Sequence, residues 1–368
     1  MKQLQHLLSL CLLATIVSCN KGKDTAGPEI ATTYKDTVFT QYFRRTSGLV
    51  AADGAVSTPL STGKSLWLFG DSHINGYNAN TGTVPCLFQV HNAGLLLSIA
   101  DPQVGAQTLT GSGSPASYFA LGTDNNYWFW PGVGYQRADT AYTFLERIHA
   151  TGSGLGFERI DSLYVGRIQV STMAQASYAR LGSKAGISFT KGVVNDGGYN
   201  YVYGTRNNGF GNDLFVARFP EANLYAPWEY YNGTSWTTNI TNAAKIHDEF
   251  TSSFHVLKLE GKYVLLTTAF SLGCDQGKEI YSYIATNSIG PFLNKKTVWT
   301  LNDTLQGHYP FFYLAYAHPE YDNGKRELLV TYCINGYGNC VNVCVNNRKN
   351  PDYYRPRAIR VPFSIIGL

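Results

Sequence analysis

The sequence has few charged residues, and this shortage excludes several classes of protein. Only 15% of the 368 residues are Asp, Glu, Lys or Arg, whereas ordinary globular domains carry roughly 25%. Disordered chains combine low hydrophobicity with a high net charge, but here 44% of the residues are hydrophobic and the net charge is +4. Because no basic run exceeds two residues, we do not expect a nucleic-acid partner.

Methionine is also scarce, with 2 residues, while 14% of the chain is aromatic and 37 residues are Gly. Helix-rich folds use Ala, Leu, Glu and Lys instead, so this composition favours β-strands. Beyond the N-terminus, no stretch approaches the roughly 18 apolar residues of a membrane helix. The 8 His residues lack the spacing of a helical metal site, and no phosphate-binding Gly loop is present. We therefore expect neither a metal nor a cofactor.

The N-terminus predicts export and a lipid anchor. Lys2 precedes an apolar run over residues 7–17, which is typical of a signal peptide. The sequence Ile-Val-Ser-Cys at residues 16–19 resembles the bacterial lipobox, which implies that residues 1–18 are removed and Cys19 is lipidated. The polar residues 19–39 would then form a tether. We expect a protein anchored through Cys19 in the bacterial cell envelope, on the periplasmic face or at the cell surface; secretion without lipidation is the alternative.

Five further cysteines follow Cys19 in the mature chain: Cys86, Cys274, Cys333, Cys340 and Cys344. An exported protein with this number is expected to have one or two disulfides and at least one free thiol. The last three cysteines lie close together, but no His accompanies them and they lack the paired spacing of zinc sites. A local disulfide in this C-terminal cluster is the preferred interpretation.

One sequence unit recurs five times. Runs of β-forming residues start at positions 65, 126, 200, 262 and 327, each after a strand-like stretch and a turn rich in Gly, Asn or Asp. Further alternating runs follow, as at residues 142–148, 213–219 and 279–285. This pattern predicts an all-β, five-bladed β-propeller over residues 40–368 as a single domain. A pair of β-sandwiches is the alternative, and the strand at 354–362 would belong to blade five or complete blade one.

Two segments resemble the first blade of five-bladed, furanosidase-type glycoside hydrolase propellers. Residues 52–57 contain Asp53 followed by Gly54, and residues 63–72 contain Gly70 followed by Asp71. The chain is similar, more narrowly, to uncharacterised bacterial lipoprotein families of this superfamily and to endo-D-arabinanases. Weaker matches follow in the correct order at residues 201–206, 213–218, 290–292, 317–320 and 354–357.

The resemblance implies a central funnel, lined by the inner strand of each blade, that holds the catalytic carboxylates. By this comparison Asp53 is the base or nucleophile, and Glu249 is the general acid, with Asp248 as the alternative. Asp71 would orient Asp53 or bind a ring hydroxyl. An acid must stay protonated to release the leaving group, so we expect the pKa of Glu249 to be raised.

Six further residues lie beside predicted inner strands or their loops and are candidates for substrate binding: His73, His91, Asn92, Arg206, His318 and Arg355. Aromatic side chains match the apolar faces of sugars. Trp128 and Trp130 lie on predicted strands and are expected in the core. Trp228 and Tyr230 lie in predicted loops and are candidates for the funnel mouth or the outer surface.

These expectations give two hypotheses of function. The first is a lipoprotein glycoside hydrolase that acts on a furanose-containing or related glycan. The second is a non-catalytic glycan-binding propeller lipoprotein that serves an uptake system. Both would be monomers that take a poly- or oligosaccharide as partner and touch the membrane only through the lipid. Two acids that converge in the funnel favour the enzyme, because a binding protein has no use for carboxyl groups with divergent pKa values.

Overall fold

The structure is a computed structural model that describes residues 31–122, 125–152, 156–173, 176–209, 211–251, 253–336 and 341–368. In these residues antiparallel strands form five blade sheets and two short ribbons of two strands each. They belong to one folded unit, Thr32–Leu368. The predicted all-β, five-bladed propeller is therefore confirmed. The predicted signal peptide and the lipidated Cys19 lie outside the described residues.

Each blade runs from an inner strand to an outer strand. Blade one consists of Val56–Pro59, Lys64–Phe69, Ala93–Ser98 and Gln107–Leu109, and blade two of Tyr127–Arg137, Thr140–Ala150, Phe157–Gln169 and Ser177–Gly182. Blade three consists of Ser188–Asp196, Tyr199–Asn207, Asn212–Pro220, Glu229–Tyr231 and Trp236–Thr237, with His247–Glu249 also paired to its third strand. Blade four consists of Phe254–Leu259, Lys262–Thr268, Glu279–Ala285 and Leu293–Thr300, and blade five of Phe311–Ala317, Glu327–Asn335, Arg357–Pro362 and Tyr34–Lys35.

Short elements connect the blades. The two ribbons pair Leu49–Ala52 with Ser72–Ile74, and Val84–Pro85 with Arg348–Lys349. The helical segments are the α-helices Thr37–Gln41 and Phe363–Ile366 and the 3₁₀ helices Ile240–Asn242 and Pro351–Tyr354. None of the helices in the described part of the chain has the length and apolar character that crossing a membrane requires.

Tight turns join the first two strands of blades three and four, as the sequence predicts. Gly197 and Gly198 have φ angles of 57° and 82°, and Glu260 and Gly261 have φ angles of 47° and 77°. Two consecutive left-handed residues are typical of a type I′ turn, whose twist matches that of antiparallel strands. Glycine adopts this conformation without the steric cost that a side chain adds. These positions therefore fix the hairpin register from local sequence alone.

Blade two departs from the predicted strand order. The sequence predicts a second strand that starts at residue 126, but this segment lies in the inner strand Tyr127–Arg137. The second strand is Thr140–Ala150, and the turn between them contains Ala138, with a φ of 48°. The first two strands of this blade are 11 residues long, so the hairpin comes later in the chain. The aromatic run that marks second strands elsewhere therefore falls on the inner strand.

The propeller closes at blade five, whose outer strand comes from the N-terminal end of the folded unit. Tyr34–Lys35 pairs antiparallel with Arg357–Pro362. The C-terminal strand predicted at 354–362 is thus the third strand of blade five. Residues 34–39 of the predicted tether, 19–39, belong to the propeller, because they contain the strand Tyr34–Lys35 and the start of the helix Thr37–Gln41. This closure covers sheet edges that an open ring would expose.

Five hydrophobic clusters hold neighbouring blades together in the described residues, one at each interface between blades. The cluster between blades two and three contains Phe144 and Phe189, and the cluster between blades five and one contains Trp67 and Leu329. Burying one large apolar side chain stabilises a fold by about 1.5–3 kcal/mol. Packing between blades therefore contributes to the stability of the ring.

A disulfide joins loops of the first and last blades. Cys86 is bonded to Cys344, 258 residues further along the chain. The predicted local disulfide is therefore wrong for Cys344, because sequence proximity does not show that a loop of blade one lies beside this segment. Cys333 is buried and free, which confirms the prediction of at least one unpaired thiol. Cys340 lies outside the described residues.

Asp36 fastens the closing strand to the rest of blade five. Its Oδ1 accepts a hydrogen bond from the backbone N–H of Phe39 at 2.7 Å, which caps the helix Thr37–Gln41. Its Oδ2 accepts a hydrogen bond from Nε of Arg360 at 2.8 Å. Arg360 is only 7% exposed, so its charge depends on this partner.

We expect Asp36→Ala to lower the free energy of unfolding by about 3–5 kcal/mol, because it leaves a buried charge unpaired. Equilibrium unfolding in urea measures this loss. Lys245→Ala is the control, because it removes an exposed ion pair with Asp213 and should leave the midpoint nearly unchanged. Equal midpoints for the two variants would show that Asp36 does not hold the ring closed.

Candidate active site

All five blades contribute to the wall of a cavity of about 670 Å³. Some of the contributing residues lie in an inner strand or just before one, and others lie in second or third strands or in loops. Together they correspond to the predicted funnel. One residue from each blade illustrates this arrangement, in order from blade one to blade five: Asp53, Trp130, Lys191, Ser253 and Tyr313. The cavity therefore forms where the five blades meet.

Asp53 is held at the cavity wall by backbone and side-chain contacts. Its carbonyl oxygen accepts a hydrogen bond from the N–H of Gly70 at 2.9 Å. A Cβ at position 70 would lie 2.6 Å from Oδ1 of Asp53, so this close approach requires glycine. The hydroxyl of Tyr313 donates a hydrogen bond to Oδ2 at 2.7 Å. Burial and, second, the charge of Asp71 raise the pKa of Asp53 to about 7.

Asp71 follows Gly70 directly and is bound on one of its two oxygens. Nδ1 of His91 lies 2.9 Å from Oδ1, and Nε1 of Trp130 donates a hydrogen bond to the same oxygen at 3.2 Å. His91 in turn stacks on Trp128, with ring centroids 4.1 Å apart. The second oxygen, Oδ2, has no hydrogen-bond partner among the described residues. The carboxylate is therefore oriented, with one oxygen left for a ligand.

A buried lysine lies near the two aspartates. Lys349 is 2% exposed, and its Nζ lies 4.3 Å from the ring centroid of Tyr354. Burial lowers the pKa of Lys349 to about 7, although the charges of Asp53 and Asp71 oppose this shift. The lysine belongs to the ribbon Arg348–Lys349, close to the disulfide in the chain. The closing loop of blade five thus brings to the site an amino group that is only partly protonated at neutral pH.

A third carboxylate in the wall, Glu146, is fully engaged. It accepts hydrogen bonds from Nε of Arg159 at 2.9 Å and from Nζ of Lys191 at 3.0 Å. The hydroxyls of Ser188 and Thr190 also donate to it. Burial would raise the pKa of Glu146, but the charges of Arg159 and Lys191 hold it well below its usual range. Glu146 therefore stays ionised, and no motif marks it or its two cationic partners in the sequence.

Glu249 does not line the cavity. It ends a short strand that pairs with blade three, and Lys295 forms an ion pair with it. Burial alone would raise its pKa, but hydrogen bonds from His247, Lys295 and Tyr283 lower the pKa to about 2. The predicted raised pKa is therefore wrong, because the sequence does not show that a lysine of blade four lies beside this carboxylate. The alternative, Asp248, has a side chain that is 60% exposed.

Of the six predicted substrate-binding residues, His91 lines the cavity and the other five do not. Asn92 and Arg355 are buried and bind backbone carbonyl groups. Nδ2 of Asn92 donates to the oxygen of Phe129 at 2.9 Å, and Nε of Arg355 donates to the oxygen of Val50 at 2.8 Å. Both side chains therefore fasten neighbouring backbone segments and have a structural role.

The remaining three candidates lie away from the cavity wall. His318 is buried in the core and stacks on Trp67, with ring centroids 4.2 Å apart. Arg206 lies over the ring of Phe215 at 4.7 Å. His73 is fully buried, and neither ring nitrogen has a hydrogen-bond partner in the described residues. Nor do the described residues contain a cluster of three or more His, Cys, Asp or Glu side chains that could hold a metal ion.

The aromatic residues expected in the core and those expected at the funnel mouth lie in the opposite places. Trp128 and Trp130 line the cavity, whereas Trp228 and Tyr230 are buried in the cluster between blades two and three. The longer hairpin of blade two explains the position of Trp128 and Trp130, because it moves the aromatic run onto the inner strand. Together with other blades it gives a wall rich in aromatic side chains: Phe88, Trp128, Trp130, Phe157, Phe311, Tyr313 and Tyr316.

The raised pKa of Asp53 predicts a pH-dependent stability. The folded protein holds this proton more tightly than a carboxyl group with the ordinary value of 3.8, so the stabilisation is lost as the pH rises through about 7. We expect Asp53→Asn, which cannot ionise, to be more stable than the wild type at pH 8 by roughly 1 kcal/mol or more. The difference should shrink toward zero near pH 4, and unfolding curves at both pH values measure it.

Asp196→Asn is the matched control, with the opposite sign. Hydrogen bonds from Lys258 and Tyr263 lower the pKa of Asp196, so its ionised form stabilises the fold above its unfolded pKa. This variant should be less stable than the wild type at pH 8, and the difference should shrink as the pH falls. A pH-independent effect of Asp53→Asn would contradict the raised pKa of Asp53.

Comparison with solved structures finds proteins that resemble this chain. A Bacteroides ovatus protein described as a "putative hydrolase" has a TM-score of 0.74 and 19% identity, over 89% of this chain and 90% of that chain. An α-L-arabinanase mutant of Cellvibrio cellulosa has a TM-score of 0.47 and 11% identity, over 85% and 91%. The GH43 BlXynB protein of Bacillus licheniformis has a TM-score of 0.49 and 12% identity, over 83% and 52%. The similarity to the Bacteroides ovatus protein, at a TM-score of 0.74, concerns the fold alone.

Among curated proteins, none matches the sequence significantly. A family profile described as "Domain of unknown function (DUF5005)" matches residues 36–363. This match covers almost the whole propeller, from the residue that fastens the closing strand to the end of blade five. The chain therefore belongs to the DUF5005 family.

Proposed function

We propose that the protein is a glycoside hydrolase in which Asp53 is the general acid and Asp71 is the nucleophile or base. The observation that carries this proposal is the pair of carboxyl groups at the cavity wall, one of which has a raised pKa. Glycoside hydrolysis requires one protonated and one ionised carboxyl group on either side of the scissile bond. Different surroundings for the two groups are what keeps their protonation states apart.

Asp53 suits the role of acid. With a pKa of about 7 it holds its proton in a large fraction of molecules at neutral pH, where a carboxyl group in water would be ionised. It would donate this proton to the oxygen of the leaving sugar. The carboxylate formed in that step accepts the hydrogen bond of Tyr313 and lies near the positive charge of Lys349. Both interactions favour the product of the proton transfer.

Asp71 suits the second role. His91 and Trp130 bind Oδ1 and fix the plane of the carboxylate, while Oδ2 has no partner in the described residues. That oxygen either attacks the anomeric carbon, to form a glycosyl-enzyme, or accepts a proton from the attacking water. Orientation by two fixed donors reduces the entropy that the reaction must otherwise lose.

This assignment differs from the one inferred from the sequence. There, Asp53 is the base or nucleophile and Glu249 the acid. Glu249 has a low pKa and no position in the cavity wall, so the role of acid passes to Asp53. Asp71, inferred from sequence to orient Asp53 or bind a hydroxyl, takes the role of the ionised partner.

A furanose-containing or related glycan is the proposed substrate class. Sugars combine apolar faces with polar rims, and aromatic side chains bind such faces. Trp130 and Phe157 pack edge to face with centroids 4.6 Å apart and form an apolar corner of the wall next to Asp71. The resemblance of the segments around Asp53 and Asp71 to furanosidase-type propellers supports the choice of sugar.

Hydrolysis of arabinans, fructans and other plant and bacterial glycans tests the proposal. On whichever glycan the wild type cleaves, Asp53→Asn and Asp71→Asn should each lower kcat by roughly 10²- to 10⁴-fold or more, the range of a positioned acid or base. Both substitutions are nearly isosteric, so the fold should be retained. For the wild type, kcat should also fall above about pH 7, because Asp53 loses its proton there.

Two further variants separate the alternatives. Asp196 ends the inner strand of blade three and pairs with Lys258 outside the cavity wall. Asp196→Asn should therefore alter turnover little. Glu249→Gln distinguishes the two acid assignments, since a large loss of kcat in a folded protein would restore Glu249 as the acid. A wild type that binds a glycan but cleaves none of the panel would favour the binding protein of an uptake system.

We further propose that the protein is a lipoprotein of the bacterial cell envelope, anchored through Cys19. The support is the lipobox-like sequence at residues 16–19 behind a short apolar run. We expect Cys19→Ala to move the protein from the membrane to the soluble fraction. The melting temperature should stay the same, because the folded unit begins at Thr32. Membrane retention of this variant would contradict lipidation at Cys19.

A further inference from the structure

We propose that Arg159 and Lys191 form a binding site for an anionic group of the glycan, so that the substrate is an acidic sugar polymer. A uronate carboxylate and a sulfate ester share the chemistry that such a site recognises. This inference rests on the proposed function, because it narrows the substrate class of the same cavity.

Arg159 presents hydrogen-bond donors to the cavity. It lies in the third strand of blade two, Phe157–Gln169, and its side chain is 56% exposed although it lines the cavity wall. Glu146 holds its Nε at 2.9 Å. The two terminal nitrogens, Nη1 and Nη2, have no hydrogen-bond partner among the described residues. A guanidinium fixed in this way offers a planar fork that matches two oxygens of one anionic group.

The charges of this part of the wall do not balance. Glu146 contributes one negative charge, and it contacts two cations, Arg159 at 2.9 Å and Lys191 at 3.0 Å. Its oxygens are already engaged by four donors, so it has little capacity to neutralise more. One positive charge is left over, and in a partly enclosed cavity such a charge attracts an anion more strongly than in water.

A purely structural role does not account for Arg159. The ion pair between Glu146 and Lys191 already links blade two to blade three. Both of those side chains are about nine-tenths buried, as expected for a contact between blades. Arg159 adds a second cation to a satisfied pair, and it lines the cavity wall with a side chain that is more than half exposed. Binding a ligand explains that exposure, whereas joining the blades does not.

The proposed anion site lies within reach of the acid pair. Phe157 and Arg159 are two residues apart on one strand, so they share a face of the sheet. Trp130 packs against Phe157 at 4.6 Å, and its Nε1 donates to Asp71 at 3.2 Å. A sugar stacked on these aromatic rings would extend its acidic group toward Arg159 and its glycosidic bond toward Asp71.

The test compares acidic oligosaccharides with their own neutral forms. Calorimetric titration uses Asp71→Asn protein, which should bind without turnover, and glucuronic acid-bearing arabinan or galactan oligosaccharides before and after carboxyl reduction. We expect the acidic form to bind roughly ten-fold more tightly, as a charge-assisted fork does. Adding Arg159→Gln should bring the ratio close to one. Adding Arg159→Lys should give an intermediate ratio, because the charge remains while the fork is lost.

Arg167→Gln is the matched control, because it removes an equal charge from an exposed position of the same strand outside the cavity wall. It should leave the ratio unchanged. Sulfated and desulfated oligosaccharides form a second pair, and an Arg159-dependent preference seen only there would assign the site to sulfate esters. Equal binding of acidic and neutral forms by all variants overturns the anion site and leaves the hydrolase proposal standing. Conversely, an Arg159-dependent preference without any cleavage by the wild type supports the site and overturns the hydrolase.

Discussion

Pairing between the two ends of the folded unit is the constraint on which the rest of the structure depends. Tyr34–Lys35 completes blade five beside Arg357–Pro362, and the contact between Asp36 and Arg360 fixes it there. A ring of blades protects its sheet edges only when it is closed. The inner strands of five blades converge on one cavity only in a closed ring. The site is therefore a property of the whole chain, and no single blade contains it.

The closed ring holds the carboxyl group of Asp53 in a buried position, where its ionisation lowers the stability of the fold. The pKa of Asp53 lies about three units above its ordinary value, and each unit corresponds to roughly 1.4 kcal/mol against the ionised form. A structural role would favour an uncharged side chain at this position. The close approach permitted by Gly70 and the hydrogen bond of Tyr313 hold the acid in place instead. A carboxyl group with a raised pKa, in a cleft and with specific partners, is typical of a functional site.

The propeller and the position of Asp53 could be predicted because their signals are local: turn residues, alternating strands and an Asp-Gly pair beside a strand. The acid role of Glu249 could not be tested from the sequence. Lys295 helps to lower the pKa of Glu249, but it belongs to the neighbouring blade, and the sequence does not show that the two side chains meet. Glu146 and Arg159 were missed for a related reason. They meet through strand pairing in blade two, where the register shifts just after Glu146. A contact set by a bulge leaves no periodic pattern in the sequence.

The charges of the cavity wall are separated by sign. Asp53 and Asp71 have Lys349 beside them, so two acids face one cation. Arg159 and Lys191 share a single carboxylate, so two cations face one acid. Such a separation creates a field across the cavity that orients a charged ligand. An acidic sugar that entered the other way round would place its negative group against the ionised Asp71, and like-charge repulsion would disfavour that pose. The charge of Asp71, which together with burial raises the pKa of Asp53, would therefore also help to set the direction in which the glycan binds.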